Sequence, residues 1–105
     1  MAALTDTTIA STYKQLLKLT SEGVSADASA KYVEDGLGTD TALSLSTTRV
    51  GIGTTSPQRP LHINSGGSGD TCYMQFTQDG TGATSGDGLL IGINANEQAI
   101  IYNQE

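Results

Sequence analysis

The apolar residues near the N-terminus recur at helical spacing. Between Asp6 and Leu17 they share one face of a helix of about three turns, and Asp6 is an acceptable N-cap because its carboxylate can accept hydrogen bonds from the first free amides. The face comprises Ile9, Tyr13, Leu16 and Leu17. The pattern predicts a short amphipathic helix, which either covers its own domain or docks on another protein. The small, polar stretch from Thr20 to Ala30 has no periodicity and is typical of a linker.

Beyond residue 30 the period of the pattern changes to two, which is typical of strands with one buried face. Lys31, Tyr32 and Val33 lead into the turn signal Glu34-Asp35-Gly36, where we expect Gly36 to supply a positive φ. Three brief strands should follow. Their alternating apolar residues are Leu43 and Leu45, then Val50 and Ile52, then Leu61 and Ile63. Pro57 has no amide to donate and should interrupt the hydrogen-bond ladder between the last two.

The C-terminal third carries the same alternation over longer runs. Cys72, Met74 and Phe76 point to one side, where we expect Cys72 to be a small buried hydrophobe. The runs from Leu89 to Ile93 and from Ala99 to Tyr102 predict a hairpin. Because this strand pattern reaches almost to Glu105, we expect a segment that neighbouring chains or further sequence continue.

The composition limits the size of the hydrophobic core that this chain can form. Leu, Ile, Val and Phe make up 21 of the 105 residues, a share near the roughly 20% at which a self-sufficient core becomes doubtful. Turn-forming and small polar residues dominate instead, with 13 Gly, 15 Thr and 10 Ser. The chain therefore predicts a mainly β fold that depends on other subunits for stability. We expect an anchoring helix and linker over residues 1–30 and a β-rich segment over residues 31–105.

Charge and cysteine content exclude several classes of partner. The formal net charge of −6 disfavours a nucleic-acid-binding surface. The sequence has neither an 18-residue apolar run nor a secretory signal pattern, so membrane insertion is not expected. A single cysteine excludes an internal disulfide framework and a cysteine-built zinc site, which fits folding in a reducing cytoplasm.

Candidate chemistry is sparse, and it predicts a protein that is not an enzyme and holds no cofactor or metal. His62, the single histidine, lies between Leu61 and Ile63, so alternation places it on the solvent side of a strand. No serine lies in a G-x-S-x-G elbow. Gly51-Ile52-Gly53 lacks the third glycine and the helix of a dinucleotide fingerprint. Gly66 to Asp70 comes close to a glycine-rich calcium turn, but it lacks the spacer before the aspartate and occurs only once.

One string in the middle of the chain is similar to a known unit. Residues 48–57 read TRVGIGTTSP and are followed by Leu61-His62-Ile63. This string resembles a unit of fibre and tail fibre proteins of tailed bacteriophages, in which it recurs along elongated homotrimers. Residues 8–17, 33–38, 88–93 and 101–105 are also similar to segments of such proteins. The chain has one unit, without a receptor-binding tip or a self-cleaving chaperone, so the resemblance assigns host recognition to no residue.

The resemblance implies an elongated, intertwined trimeric fibre in the virion, assembled in the host cytoplasm. Its shared core would comprise Leu43, Leu45, Val50, Ile52, Leu61 and Ile63, while Ile9, Tyr13, Leu16 and Leu17 would dock on a tail, portal or capsid protein. The assembled fibre could contact host surface glycans. A capsid decoration or head fibre protein is the alternative. A carbohydrate-binding adhesin module is a rival of another class, and only Tyr32, Tyr73 and Tyr102 could serve it for sugar stacking.

Overall fold

A computed structural model of the chain describes residues 13–104, and within this range the fold is mainly β, as the sequence predicts. It contains one turn of 3-10 helix at Tyr13–Gln15 and eight strands. The chain divides into two compact units, Met1–Asn64 and Ser65–Glu105. Each unit holds one sheet, so each is described by itself. No helix among the described residues is long and apolar enough to cross a membrane.

The first unit contains a five-stranded sheet whose spatial order follows the chain. Its strands are β1 (Lys18–Leu19), β2 (Lys31–Glu34), β3 (Asp40–Leu45), β4 (Val50–Ile52) and β5 (Leu61–Ile63). Neighbours pair antiparallel except β4 and β5, which are parallel. The three short strands expected from the alternation of apolar residues are therefore present as β3, β4 and β5.

The second unit is a three-stranded antiparallel meander. Its strands are β6 (Cys72–Phe76), β7 (Gly88–Ile93) and β8 (Ala99–Gln104), in that spatial order. The predicted hairpin is confirmed, because β7 and β8 pair along their whole length from Gly88 opposite Gln104 to Ile93 opposite Ala99. Asn94 closes its turn by accepting hydrogen bonds at Oδ1 from the amides of Asn96 and Gln98.

The predicted N-terminal helix does not extend to Leu17. The described part of this segment has only the 3-10 turn at Tyr13–Gln15, and Leu16 and Leu17 lie in irregular backbone before β1. Strand pairing explains the difference, since Lys18 and Leu19 pair with Glu34 and Val33 and draw the chain into the sheet. Ile9 and the remainder of the predicted helix lie outside the described residues.

The segment expected to be a linker is hydrogen-bonded into the first unit. The amide of Thr20 donates to the Tyr32 carbonyl, and the amide of Ala30 donates to the Thr55 carbonyl. The Lys31 ammonium donates to the carbonyls of Glu22 and Gly23. The two compact units divide after Asn64, and the division of function expected after residue 30 stays a prediction.

The turn between β2 and β3 has a different left-handed residue from the one expected. The positive φ belongs to Gly38, at 85°, and not to Gly36. The carboxylate of Asp35 closes this turn by accepting hydrogen bonds at Oδ1 from the amides of Leu37 and Thr39, both at 2.9 Å. The Gly38 amide donates to the Asp35 carbonyl, and so Gly36 and Leu37 are the central residues of the turn. The left-handed residue of a three-residue hairpin loop follows these two positions, which explains why Gly38 adopts it.

The interior of each unit is small, in line with the composition. Among the described residues the buried hydrophobic side chains are Ala30 in the first unit and Leu90 in the second, and Pro57 and Ser44 of the first unit are fully buried. The prediction of a buried side around Cys72 is wrong, because Cys72 is half-buried and its neighbours Met74 and Phe76 are exposed. This side of the sheet lacks any covering layer from its own unit.

Candidate functional site

The six residues expected to form a shared core lie on one face of the first sheet. In the register of β3 and β4, Leu43 is opposite Ile52 and Leu45 is opposite Val50. In the register of β4 and β5, the same two β4 residues are opposite Ile63 and Leu61. Directly paired residues project to the same side. The six side chains therefore form two rows across three strands, which we call the first apolar face.

This first apolar face is open. Leu43, Ile52 and Leu61 have relative exposures of 39%, 40% and 53%, and the other three residues are half-buried. At one border of the face, Lys31 pairs with Leu45 across β2 and β3. The ammonium of Lys31 donates hydrogen bonds to the carbonyls of Glu22 and Gly23. An apolar surface that spans three strands and includes no charged side chain is typical of an interaction surface.

The opposite face of the same strands is closed by the chain's own connection from β4 to β5. Ser44 and Gly51 are paired on this face and both are buried. The Ser44 hydroxyl donates to the Thr54 carbonyl at 2.6 Å. A Cβ at Gly51 would collide with the Ser44 hydroxyl and the Thr54 carbonyl, so this glycine permits the connection to approach the strand closely. Small side chains thus let residues 53–60 lie directly on the sheet.

Arg49 and His62 hold this connection in place. Both are half-buried. The Arg49 guanidinium donates to the Pro57 carbonyl at 2.8 Å. His62 Nδ1 accepts a hydrogen bond from the Gln58 amide at 3.2 Å. These contacts give the chain's single histidine and its neighbouring arginine structural partners within the connection.

The second sheet also has an open apolar face. Residues of β6, β7 and β8 that are paired in register alternate between two sides, and one side is almost wholly apolar. Phe76 and Ile101 are 53% and 75% exposed. The second apolar face comprises Cys72, Met74, Phe76, Leu89, Ile91, Ile93, Ala99 and Ile101.

The other side of the second sheet carries a cleft of about 490 Å³. Tyr73 and Tyr102 both line it, with ring centroids 6.4 Å apart and ring planes 84° apart, an edge-to-face arrangement. Leu90, one of the few buried apolar residues, lies between their strands on β7. Gly92 is paired with Tyr73, and a Cβ there would collide with the Cys72 carbonyl and the Tyr73 Cα. We call this site the tyrosine cleft.

Polar side chains complete the tyrosine cleft. They are Thr71, Gln75, Ser85 and Gln104. The Gln75 amide nitrogen donates to the carbonyls of Thr84 and Asp87, at 2.6 and 2.9 Å, and so fixes the β6–β7 connection that carries Ser85. Gln104 Oε1 is buried and has no hydrogen-bond partner. An unsatisfied buried acceptor of this kind favours a ligand or water that can donate a hydrogen bond.

The sequence identifies the tyrosines as candidates for sugar stacking but does not show that two of them lie close together. Tyr73 and Tyr102 are 29 positions apart, and only the register of three strands brings them together on one side. The third candidate, Tyr32, lies in the other unit, opposite Ser44, and is half-buried. The structure therefore unites two of the three aromatic residues that a sugar-binding site could use.

The expected docking residues are only partly described. Ile9 lies outside the described residues, and Tyr13 begins the 3-10 turn. Leu17 is 69% exposed and Leu16 is half-buried. Of this set, Leu16 and Leu17 are described and lie in irregular backbone rather than in a helix.

Two carboxylates that lie in turns have lowered pKa values. The pKa of Asp35 is lowered chiefly by the hydrogen bond from the Thr39 amide, and that of Asp87 chiefly by the hydrogen bond from the Thr84 hydroxyl. Asp87 Oδ2 accepts from the hydroxyl at 2.7 Å and from the amide of the same residue at 2.8 Å. Both carboxylates close turns. Within residues 13–104 no three His, Cys, Asp or Glu side chains are grouped so as to hold a metal ion.

Comparison with protein-family models, with curated proteins and with solved structures found no match to this chain. The resemblance to bacteriophage fibre proteins therefore stays a prediction from the residues that carry it. The first apolar face and the tyrosine cleft are the features of the described residues that bear most directly on function.

Proposed function

We propose that this chain is a non-enzymatic structural component of a bacteriophage virion, a fibre protein assembled in the host cytoplasm. Its N-terminal segment would attach to the particle, and its β region would form a trimeric shaft for host attachment. The first apolar face supports this proposal most, because its six residues share one side and none is buried by its own chain. In a homotrimer three such faces can cover one another at the symmetry axis.

The closed opposite face adds support. Ser44 and Pro57 are buried in this chain, while leucine and isoleucine side chains of the first apolar face are exposed to water. This is the reverse of the usual preference, by which large apolar side chains are buried. Burial of the first apolar face in an assembly restores that preference. The string TRVGIGTTSP, which resembles the bacteriophage fibre unit, includes β4 and most of the closing connection.

The oligomeric state tests the proposal directly. Sedimentation equilibrium of the full chain should give about three times the chain mass of 10.8 kDa. Ile52→Asp should yield monomers with unchanged β circular dichroism, since Ile52 is already 40% exposed within its own chain. The matched control is Leu37→Asp, at an exposed turn position away from the face, which should remain trimeric. A wild-type chain that is a stable, cooperatively folded monomer contradicts the proposal.

Attachment to the particle is tested separately. The double variant Leu16→Asp, Leu17→Asp should remain trimeric but should not be incorporated into virions, whereas Leu37→Asp should be incorporated normally. Normal occupancy of the double variant would show that the anchor lies elsewhere. A density map of the intact particle distinguishes a tail or portal fibre from the alternative, a capsid decoration or head fibre protein, which would use the same apolar face.

The absence of catalysis is also proposed. It is supported by the structural bond of His62, whose Nδ1 is occupied by the Gln58 amide, and by the turn-closing bonds of Asp35 and Asp87. Incubation with host surface polysaccharide or with peptidoglycan should release no product above a blank. Release that disappears in Asp70→Asn or Asp87→Asn would overturn this part of the proposal.

A further inference from the structure

We infer that the tyrosine cleft is a binding site for an uncharged saccharide. The inference rests on the proposed function for its setting, since host attachment requires a surface that recognises the host. The site itself is argued from the chemistry of the cleft. Its volume of about 490 Å³ lies within the roughly 300 to 1,000 Å³ range of small-molecule sites.

The lining of the cleft selects a neutral ligand. It combines two tyrosines and a leucine with hydroxyl and carboxamide groups, and none of its side chains carries a charge. A phosphate, sulfate or carboxylate ligand would require the charge-assisted hydrogen bonds that arginine or lysine provides. A pyranose has both an apolar C–H face and hydroxyl groups around its edge. This combination matches aromatic rings bordered by short polar side chains.

The two tyrosines provide the apolar platform. Tyr102 is 43% exposed, so part of its ring is free to stack on a sugar, and Tyr73 supports it edge to face. Both side chains project from paired strands rather than from loops, which holds the platform in one geometry before a ligand arrives. Gly92 carries no side chain that would displace Tyr73.

The unpartnered oxygen of Gln104 indicates what the ligand must donate. Gln104 Oε1 is buried without a hydrogen-bond donor, and leaving such an acceptor unsatisfied is unfavourable. A sugar hydroxyl is a donor of suitable size. The hydroxyl groups of Ser85 and Thr71 can both donate and accept, so they can follow the hydroxyl pattern of a saccharide.

The test is a titration of the full chain, in its native assembly state, with neutral oligosaccharides. The probes are lactose, maltotriose and chitotriose, with sialyllactose as an anionic comparison. At millimolar concentrations at least one neutral probe should shift the amide signals of Leu90 and Gly92 and the side-chain amide signals of Gln104. Sialyllactose should bind no better than lactose. The absence of shifts with all three neutral probes would overturn the inference.

Variants separate the cleft from the remainder of the sheet. Tyr102→Ala should weaken binding about tenfold or more, whereas Tyr102→Phe should retain most of it because the stacking ring remains. Ile101→Ala is the matched control, since Ile101 is adjacent in β8 but projects from the opposite side, and it should leave affinity unchanged. Equal loss in Tyr102→Ala and Ile101→Ala would overturn the inference.

The oligomeric state of the same samples keeps the two proposals distinguishable. A trimer whose cleft signals do not respond to neutral sugars would overturn the saccharide site and leave the fibre proposal standing. A monomer whose cleft signals do respond to neutral sugars would overturn the fibre proposal and leave the saccharide site standing. Cleft signals that move on dilution and not on addition of sugar would show that a second copy of the chain occupies the cleft, which also overturns the saccharide site.

Discussion

The three-stranded part of the first sheet, β3 to β5, and the second sheet, β6 to β8, share one design and differ in one respect. Each presents an apolar face that its own unit leaves open. Each also has a connection that contacts the opposite side. In the first unit this connection closes that side completely over Ser44, whereas in the second it leaves the tyrosine cleft.

The size of the side chains explains this difference. Ser44 and Gly51 occupy so little space that residues 53–60 pack onto the strands, and Pro57 becomes fully buried. On the second sheet the corresponding side carries Tyr73, Gln75 and Tyr102, which are too large for the connection to lie flat over them. The small residues at the centre of the first side thus let a loop close over it, whereas the larger side chains of the second side leave a cleft open to a ligand.

The largest effect on stability is expected from truncating a side chain of the first apolar face. Ile52→Ala removes apolar contacts that, in a trimer, would form between chains, and truncation of a buried isoleucine costs about 2 to 5 kcal/mol per site. The variant should lose assembly at a lower temperature than the wild type, before it loses β structure. Thermal melts followed in parallel by light scattering and circular dichroism would show this order.

Leu37→Ala is the matched control for Ile52→Ala, because Leu37 is exposed and belongs to a turn. It should change stability by less than about 0.5 kcal/mol. If Ile52→Ala behaves like this control, the first apolar face is not buried in the assembled protein.

A smaller effect is expected on the closed side of the same sheet. Gly51→Ala places a methyl group against the Ser44 hydroxyl and the Thr54 carbonyl, and overpacking of this kind costs about 1 to 3 kcal/mol. Urea denaturation should show the loss. Gly86→Ala, where an added Cβ meets nothing within 4 Å, should be close to neutral. Equal stability of the two variants would contradict the tight closure described for residues 53–60.

The smallest effect is expected on the stability of the fold at acidic pH. It involves two turn carboxylates, one in each unit. The pKa of Asp35 and that of Asp87 are both lowered below the ordinary value of 3.8. The folded chain therefore binds protons less tightly at these groups than the unfolded chain. Their contribution to stability is complete well above pH 3.8 and is lost as the pH falls through the lowered pKa.

Amide hydrogen exchange as a function of pH measures this contribution unit by unit. Asp87→Asn should weaken the acid dependence of exchange in β6 and β7 and leave β2 and β3 unchanged, and Asp35→Asn should do the opposite. Acid dependence that persists in both variants would show that other groups govern acid stability.

Much of the local structure was predictable because alternation along a strand is a local property. The apolar residues of β3, β4 and β5 were identified from spacing alone, and so was the β7–β8 hairpin. The turn after β2 was located, but its left-handed residue was not, because that residue depends on the backbone hydrogen bond from the Gly38 amide to the Asp35 carbonyl. The expected helix through Leu17 competed with strand pairing at Lys18, which a helical pattern alone does not reveal.

Which side chains share a face within each strand follows from the amino-acid sequence alone, because successive residues of a strand project to opposite sides. The small size of the core follows from the composition in the same way. The folded chain was needed to establish which strands are neighbours, that β4 and β5 run parallel, and which face residues 53–60 cover. The same holds for the tyrosine cleft, since the meeting of Tyr73 and Tyr102 depends on the register of β6, β7 and β8. Register and loop path are set by contacts between residues distant in the chain, which a period of two cannot specify.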